Sequence, residues 1–296
     1  MERELGRKVY INGNLVDREK ASISVFDHGF LYGDGVFEGI RTYDCLVFKF
    51  KEHIDRLYKS AKAIDLKIPV EKPKMIAAAI DTLKTNKLKD AYIRLIITRG
   101  KGDLGLDPRK CKEPGIFIIT DKIALYPQEF YTKGLSIITA STRRNYPKSL
   151  DPRIKSLNYL NNILAKIEAI KSGAEEAIML TYDGYVAECT GDNIFMVNSG
   201  GLVTPPVEIG ALEGITRDAV IGLAKKLGIA FSENLLKPED LYDADEVFLT
   251  GTAAEIIPVV RIDERKINAG SPGRIAFKLI DELKKLTKFD GVRYVV

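Results

Sequence analysis

A lysine attacks a carbonyl carbon only as the neutral amine, so a lysine set among apolar neighbours is the first place to look for covalent chemistry. Lys155 stands in Arg153-Ile-Lys-Ser-Leu-Asn-Tyr159, between Ile154 and Leu157, where partial burial would favour the neutral form that makes a Schiff base. Most of the 45 basic residues of the chain are solvated, and only these neighbours set Lys155 apart. Glu188 precedes the small residues Cys189-Thr-Gly-Asp-Asn193. A carboxylate aimed into a site there suits a pyridinium nitrogen; a solvated surface glutamate is the plainer alternative. In Leu212-Glu-Gly-Ile-Thr-Arg-Asp218, Gly214 permits close backbone approach and Thr216 is placed to cap the helix that follows. The N–H groups of Ile215 and Thr216 would point out of the helix end, where the dipole also favours an anion. Alone, that motif does not separate an anion site from an ordinary cap. A second element, Gly251-Thr-Ala-Ala-Glu255, could add N–H and hydroxyl donors, and two such elements in one domain point to a phosphate.

Other candidates read differently. Tyr32-Gly-Asp-Gly-Val-Phe-Glu-Gly39 has the spacing G-x-G-x-x-x-G and runs into Ile40-Arg-Thr-Tyr43, which reads as strand. A dinucleotide fingerprint needs a helix there, so this segment is either a tight turn or a pocket wall presenting Tyr32, Phe37 and Arg41. His28 and His53 have neither a second metal-type ligand at helical spacing nor a Ser or Cys nucleophile signature beside them. That argues against metal or triad chemistry and for structural histidines.

These residues need elements to hold them. Asn12-Gly13-Asn14 between short apolar runs reads as a hairpin. Apolar spacing predicts helices over 52–64 and from Pro73 to Thr85, followed by strands over 91–98 and 115–120. The Gly/Pro loop between those strands, 99–114, is too long for a simple hairpin. Residues 121–134 carry little periodicity and read as a connection. Beyond it the sequence predicts a strand over 135–140, a helix over 158–172, a hairpin turning at Asp183-Gly184, and a strand pair meeting at 198–201. A helix over 216–227, strands over 246–250 and 256–262, and a helix over 272–286 complete the chain. The absence of a regular βαβ alternation predicts an α+β fold. The expected division is a small N-terminal domain over 1–121, a connection over 122–134 and a larger domain over 135–296 carrying Lys155.

Composition bounds the class. The chain has 296 residues, 45% hydrophobic and 29% charged, with interleaved charges summing to +4. No basic run tracks a phosphate backbone, which argues against a nucleic-acid partner. Cys45, Cys111 and Cys189 are odd in number and widely spaced, which fits a reducing cytoplasm rather than a disulfide framework. No apolar stretch approaches the length of a membrane span, and the start, MERELGRKVY, carries no signal-peptide core. A cytoplasmic location is the expectation.

Taken in order, YGDGVFEGIR, EHIDRL, YIR, KSLNYLNN, ECTGDN, EGITRD and GTAAE resemble the class IV aminotransferases, the fold type IV pyridoxal-phosphate enzymes, and among them the branched-chain amino-acid aminotransferases. The likeness runs from residue 9 to residue 260 and weakens in the last thirty; it is specific as a set, whereas each motif alone is weak. The resemblance implies an α+β chain of two domains, of the D-amino-acid aminotransferase type, with the site between them. It implies pyridoxal 5'-phosphate, with Lys155 matching the Schiff-base lysine and Glu188 the partner of the ring nitrogen. Arg56, Ile215, Thr216 and Thr252 match phosphate-binding positions, and Tyr159 matches the residue bonding the ring hydroxyl. Phe37, Gly39, Tyr92 and Arg94 match the substrate pocket, with Thr252 and Ala253 near the α-carboxylate. Family dimers also lend Tyr32 and part of the 105–108 loop from the partner, so a homodimer or higher homo-oligomer is implied. A further family tyrosine could correspond to Tyr126, although Ala124-Leu-Tyr-Pro127 does not fix that alignment.

The implied reaction, in branched-chain amino-acid biosynthesis, is reversible transamination between leucine, isoleucine or valine and 2-oxoglutarate, the freed Lys155 amine moving the Cα proton. Arg94 with tyrosine hydroxyls could hold the side-chain carboxylate of glutamate, while Phe37 and other apolar walls hold the branched chain. D-amino-acid aminotransferase and aminodeoxychorismate lyase are the nearest alternatives, and a non-catalytic phosphate-binding protein is a more distant one.

Overall fold

The computed structural model describes residues 6–122 and 126–296. Residues 1–5, part of the signal-peptide reading, and 123–125, part of the expected connection, lie outside the described residues. Contacts divide the chain into two compact units, one of Met1–Ile123, Ile154–Tyr159 and Thr287–Val296, the other of Ala124–Arg153 and Leu160–Leu286. These differ from the ranges expected from sequence in a consequential place, because the segment carrying Lys155 belongs to the first unit.

The first unit begins with the expected hairpin, β1 (Lys8–Ile11) and β2 (Asn14–Asp17), turning through Asn12 and Gly13 at φ of 47° and 96°. Two positive φ values in sequence are what a two-residue hairpin turn with the right twist requires. There follow α1 (His28–Tyr32), β3 (Gly35–Tyr43), β4 (Leu46–Phe48), α2 (Phe50–Ala63), α3 (Lys72–Thr85), β5 (Ala91–Thr98) and β6 (Gly115–Asp121). With the C-terminal strand Gly291–Arg293 they form a seven-stranded antiparallel sheet, in the order Gly291–Arg293, β4, β3, β5, β6, β1, β2. The loop over 99–114 does join neighbouring antiparallel strands, with Thr98 opposite Gly115, and holds a short 3-10 turn at Pro108–Lys110.

Alternation along the two central strands decides which side chains meet. Val36 and Ile40 of β3 and Ile93, Leu95 and Ile97 of β5 pack into one core with Phe50, Ile54 and Leu57 of α2 and Met75, Ala79 and Leu83 of α3. The opposite face therefore carries Phe37, Gly39 and Arg41 across from Ile96, Arg94 and Tyr92. Residues 154–159 join this unit through the backbone of β3. Phe37 N donates to the Lys155 carbonyl at 3.0 Å, Leu157 N donates to the Gly35 carbonyl at 2.9 Å, and Val36 forms an antiparallel bridge with Ser156.

The second unit contains α4 (Phe130–Lys133), β7 (Leu135–Thr139), α5 (Leu160–Lys171), β8 (Glu176–Leu180), β9 (Val186–Cys189), β10 (Asn193–Asn198), β11 (Gly201–Thr204) and α6 (Ile215–Lys226). It continues with β12 (Phe231–Glu233), α7 (Pro238–Tyr242), β13 (Glu246–Gly251), β14 (Glu255–Ile262), β15 (Arg265–Lys266) and α8 (Arg274–Leu286). Its sheet is mixed, ordered β12-β11-β10-β13-β14-β7-β8-β9 with β15 on β14, and the β11–β12, β14–β7 and β7–β8 pairs are parallel. Helices and mixed sheet without regular βαβ alternation are the α+β architecture expected. The Asp183-Gly184 hairpin and the strand pair meeting at 198–201 are both present. α5 starts at Leu160 instead of residue 158, because Tyr159 N turns back to the Leu157 carbonyl. Among the described residues no helix is long and apolar enough to cross a membrane.

Candidate active site

In the first unit, five of the residues singled out from sequence converge with Lys155. Its amine lies 3.0 Å from the Tyr159 hydroxyl and 4.6 Å from the centre of the Phe37 ring. Phe37 meets Tyr159 edge to face at 5.0 Å. The Arg94 guanidinium stands 4.7 Å over the same Phe37 ring and 5.5 Å over Tyr92, whose hydroxyl is 3.5 Å from Nη2. Gly39 makes room for this arrangement, since a Cβ there would fall 1.8 Å from the Tyr92 hydroxyl oxygen. Lys155 is half-buried, and its backbone N–H donates to Ser60 Oγ at 3.2 Å. An amine, a phenol and a guanidinium thus share the Phe37 ring, with the Tyr92 phenol beside the guanidinium.

Behind that face lies a charged cluster that the sequence did not announce. Glu38 is fully buried and accepts from Arg56 Nε and Nη2, both at 2.7 Å, and its carboxylate lies 2.8 Å from His53 Nδ1. Burial alone would raise the carboxyl, but the charge and hydrogen bonds of Arg56 and the His53 bond hold it down at about 2. Burial lowers His53 below its usual range, with the Arg56 and Lys155 charges in the same direction. Arg56 is thereby held by a two-pronged ion pair on α2. Tyr32 has other neighbours, donating to the Leu104 carbonyl and meeting His28 edge to face at 5.1 Å.

The second unit holds the remaining candidates around the end of β9 and the start of β10. Glu188 is buried, its Oε1 accepting from Arg144 Nε at 2.8 Å and its Oε2 from Leu212 N at 2.9 Å. The surface-glutamate reading is therefore excluded. Asn193 donates to the Leu212 carbonyl at 2.8 Å, and its Oδ1 lies where a Cβ on Gly214 would stand 2.0 Å away. Gly251 packs against Asp192 in the same way, at 1.9 Å. Neighbouring residues at the start of β10 thus anchor both glycine-threonine elements. Gly214 is the N-cap of α6 in extended conformation, and its carbonyl accepts Asp218 N at 2.9 Å, so helical geometry starts at Ile215. Thr216 is not the cap but lies inside the first turn, where the N–H groups lack helical partners. Thr252 and Ala253 form the turn between β13 and β14, and two residues before Thr252 the Thr250 hydroxyl is buried without a protein partner. Tyr126 lies in the apolar core of this unit against Phe130, at 6.5 Å, and its burial raises the phenol.

The donor set suits a phosphorylated aromatic cofactor. The glycine-capped start of α6, the Thr216 and Thr252 side chains and the unpartnered Thr250 hydroxyl are donors of the kind a phosphate takes. Glu188 offers a buried carboxylate for a ring N–H, and Lys155 an amine beside a phenol. Sequence reading missed Glu38, Arg144, Asn161 and Asn162. Glu38 and the two asparagines lay inside the quoted motifs FEGIR and KSLNYLNN, whereas Arg144 carried no local signal.

Comparison with known proteins agrees with this chemistry. The family model described as amino-transferase class IV matches residues 35–262. A chain of Methanocaldococcus jannaschii, provisionally named a branched-chain-amino-acid aminotransferase, is 54% identical over 286 residues, 97% of this chain and 98% of that one. The crystal structure of the Escherichia coli branched-chain amino acid aminotransferase superposes with a TM-score of 0.93 at 36% identity, covering 95% of this chain and 94% of the other. The T.th. branched-chain amino acid aminotransferase complexed with N-(5'-phosphopyridoxyl)-L-glutamate gives 0.90 at 37% identity, with coverage of 95% and 94%.

Proposed function

The chain belongs to the class IV aminotransferases, and from that premise we propose that it reversibly transfers amino groups between L-leucine, L-isoleucine or L-valine and 2-oxoglutarate, with pyridoxal 5'-phosphate bound covalently through Lys155. The observation that carries the reading is the shared Phe37 ring, with the Lys155 amine 4.6 Å and the Arg94 guanidinium 4.7 Å from its centre. A two-substrate aminotransferase must take an apolar branched chain and a second carboxylate in turn. An apolar ring with a cation over it supplies both surfaces beside the reactive amine. The relative complexed with a phosphopyridoxyl glutamate supports glutamate as the second donor.

When bound, the cofactor's ring accepts the electron pair released as the substrate Cα loses its proton. The chain's residues divide the remaining work. Lys155 Nζ moves the Cα proton, and the Tyr159 hydroxyl, within hydrogen-bond reach of it, holds the amine in place. Glu188 accepts the ring N–H. Ile215 N–H, Thr216 and Thr252 hold the phosphate together with Arg56, whose charge Glu38 fixes in position. Thr252 and Ala253 hold the α-carboxylate, and Tyr92 and Arg94 the side-chain carboxylate. We read Tyr32 and the 105–108 loop as surfaces offered to a second copy of the chain, since Phe30, Leu104 and Leu106 around them are 64%, 68% and 79% exposed.

A panel of L- and D-amino donors against 2-oxoglutarate tests the substrates, and borohydride reduction with peptide mapping tests the lysine. The expected result is turnover of L-leucine, L-isoleucine, L-valine and L-glutamate, with the label on Lys155. Preference for D-donors, or a label on another lysine, overturns the corresponding half of the proposal.

A further inference from the structure

We propose that Arg144 is a positioning residue for amino transfer, holding the Glu188 carboxylate in the orientation that receives the cofactor's ring nitrogen; this rests on the reading of Glu188 given above. Arg144 is itself 7% exposed and belongs to none of the motifs that carry the family resemblance. Its Nε donates to Glu188 Oε1 at 2.8 Å, while Leu212 N–H takes Oε2 at 2.9 Å. One donor on each oxygen fixes the carboxylate plane, which a single donor would leave free to swing about the side-chain torsions. Each oxygen keeps a lone pair for a further donor.

The guanidinium is fixed in its turn. Nη1 donates to Asn161 Oδ1 at 3.0 Å and to Asn162 Oδ1 at 3.2 Å. Both amides are oriented by what their nitrogens do, Asn161 Nδ2 donating to the Arg143 carbonyl and Asn162 Nδ2 to the Thr190 carbonyl, each at 2.8 Å. Reversing either amide would set an N–H against the guanidinium. The Arg144 backbone is pinned as well, its N–H donating to the Leu180 carbonyl at the end of β8 at 2.8 Å. A guanidinium clamped this firmly beside Glu188 keeps the carboxylate stationary, as a partner of a ring N–H must be. A lysine could supply the charge but not the directed Nε bond together with the Nη1 fork.

Three single variants and one double variant test the assignment: Arg144→Met, Arg144→Lys, Glu188→Gln and Arg144→Met/Glu188→Gln. Each is read by pyridoxal 5'-phosphate affinity, by the visible spectrum of the bound cofactor against pH, and by the single-turnover rate with L-leucine. A hydrogen bond to a charged group corresponds to about a tenfold to hundredfold change. Arg144→Met is expected to slow the half-reaction by that factor and to move the spectral pH profile, with KM for leucine little altered. Arg144→Lys should recover part of the loss. In the Glu188→Gln background the Arg144 substitution should add little, because its effect passes through the carboxylate. Full additivity in the double variant, or a wild-type spectrum and rate in Arg144→Met, overturns the assignment. A Glu188→Gln variant indistinguishable from wild type overturns instead the reading of Glu188. Should Arg144→Met not fold, Asn162→Ala, which loosens the same guanidinium, is expected to show the spectral shift in weaker form, and its absence counts equally against the proposal.

Discussion

At Arg94 the guanidinium lies over Phe37 and Tyr92 and makes no ion pair among the described residues, so its charge has no structural partner to satisfy. Replacing it with methionine keeps length and apolar surface. The half-reaction with glutamate should then fall about tenfold to a hundredfold, since a carboxylate in a largely apolar pocket loses its partner. Leucine should react at nearly the original rate, and single-turnover measurements with each donor separate the two; equal losses would mean that Arg94 holds the shared α-carboxylate. Gly39→Ala approaches the same pocket by steric means. Its Cβ would stand 1.8 Å from the Tyr92 hydroxyl oxygen, forcing the phenol aside and with it the contact to Arg94. Glutamate turnover is expected to drop while the melting temperature changes by only a few degrees, because Tyr92 is half-buried and can move. Lys155, Phe37 and Arg94 were legible in the sequence because short motifs carry them. The partners that hold Arg56 and Glu188 were not, since Glu38 and Arg144 lie 18 and 44 residues away along the chain and meet them only after folding.

Elements place these residues, and some of that placement rests on carboxylates that act on backbone. Glu246 of β13 accepts from Ile275 N at 2.9 Å and from Ala276 N at 2.8 Å, capping the start of α8 with a negative charge at the positive end of its dipole. α8 packs on α6, whose first turn holds Ile215 and Thr216. Glu246→Ala should cost about 0.5–2 kcal/mol, the usual range for a lost cap, measurable by urea denaturation. The half-reaction rate of the folded fraction should be retained, and a collapse of cofactor affinity without loss of stability would contradict this division of roles. Long periodic elements such as α2 and β5 could be read from sequence. The strands Leu46–Phe48 and Gly291–Arg293 could not, because each has three residues and their pairing spans most of the chain. The assignment of residues 154–159 to the first unit was hidden for the same reason: it depends on backbone bonds to Gly35 and Phe37. Thr216 was misplaced within the first turn because glycine can serve as the cap without a side chain, leaving no polar residue to mark it.

For the whole molecule, the buried ionisable groups set the pH range of stability. In the first unit His53 is held below its usual 6.5 by burial, so as pH falls through 6.5 the unfolded chain binds a proton that the folded chain refuses. Stability is then lost until the pH reaches the lower folded value. Glu38, whose burial alone would raise it, is held at about 2 against its usual 4.5 by Arg56 and His53. Its contribution is complete above 4.5 and disappears between there and about 2, extending the same acid limb. In the second unit burial raises Cys189 well above its usual 9.0 and Tyr126 above its usual 10.0. Above those values the unfolded chain releases protons that the folded chain retains, so stability falls as pH rises. The expected profile of melting temperature is therefore level between about 6.5 and 9 and declines on both sides, His53 and Glu38 contributing to the acid limb and Cys189 and Tyr126 to the alkaline limb. His53→Asn keeps a donor toward Glu38 and removes the titrating ring, so it should flatten the decline between 6.5 and 4.5 while leaving the alkaline side unchanged. Cys189→Ala should delay the alkaline decline and leave the acid side as it was. Differential scanning calorimetry from about pH 3 to about pH 11 on the cofactor-free proteins reads both effects without interference from bound cofactor. An acid limb that survives unaltered in His53→Asn would move its origin to the exposed carboxylates and away from the Glu38–His53–Arg56 cluster.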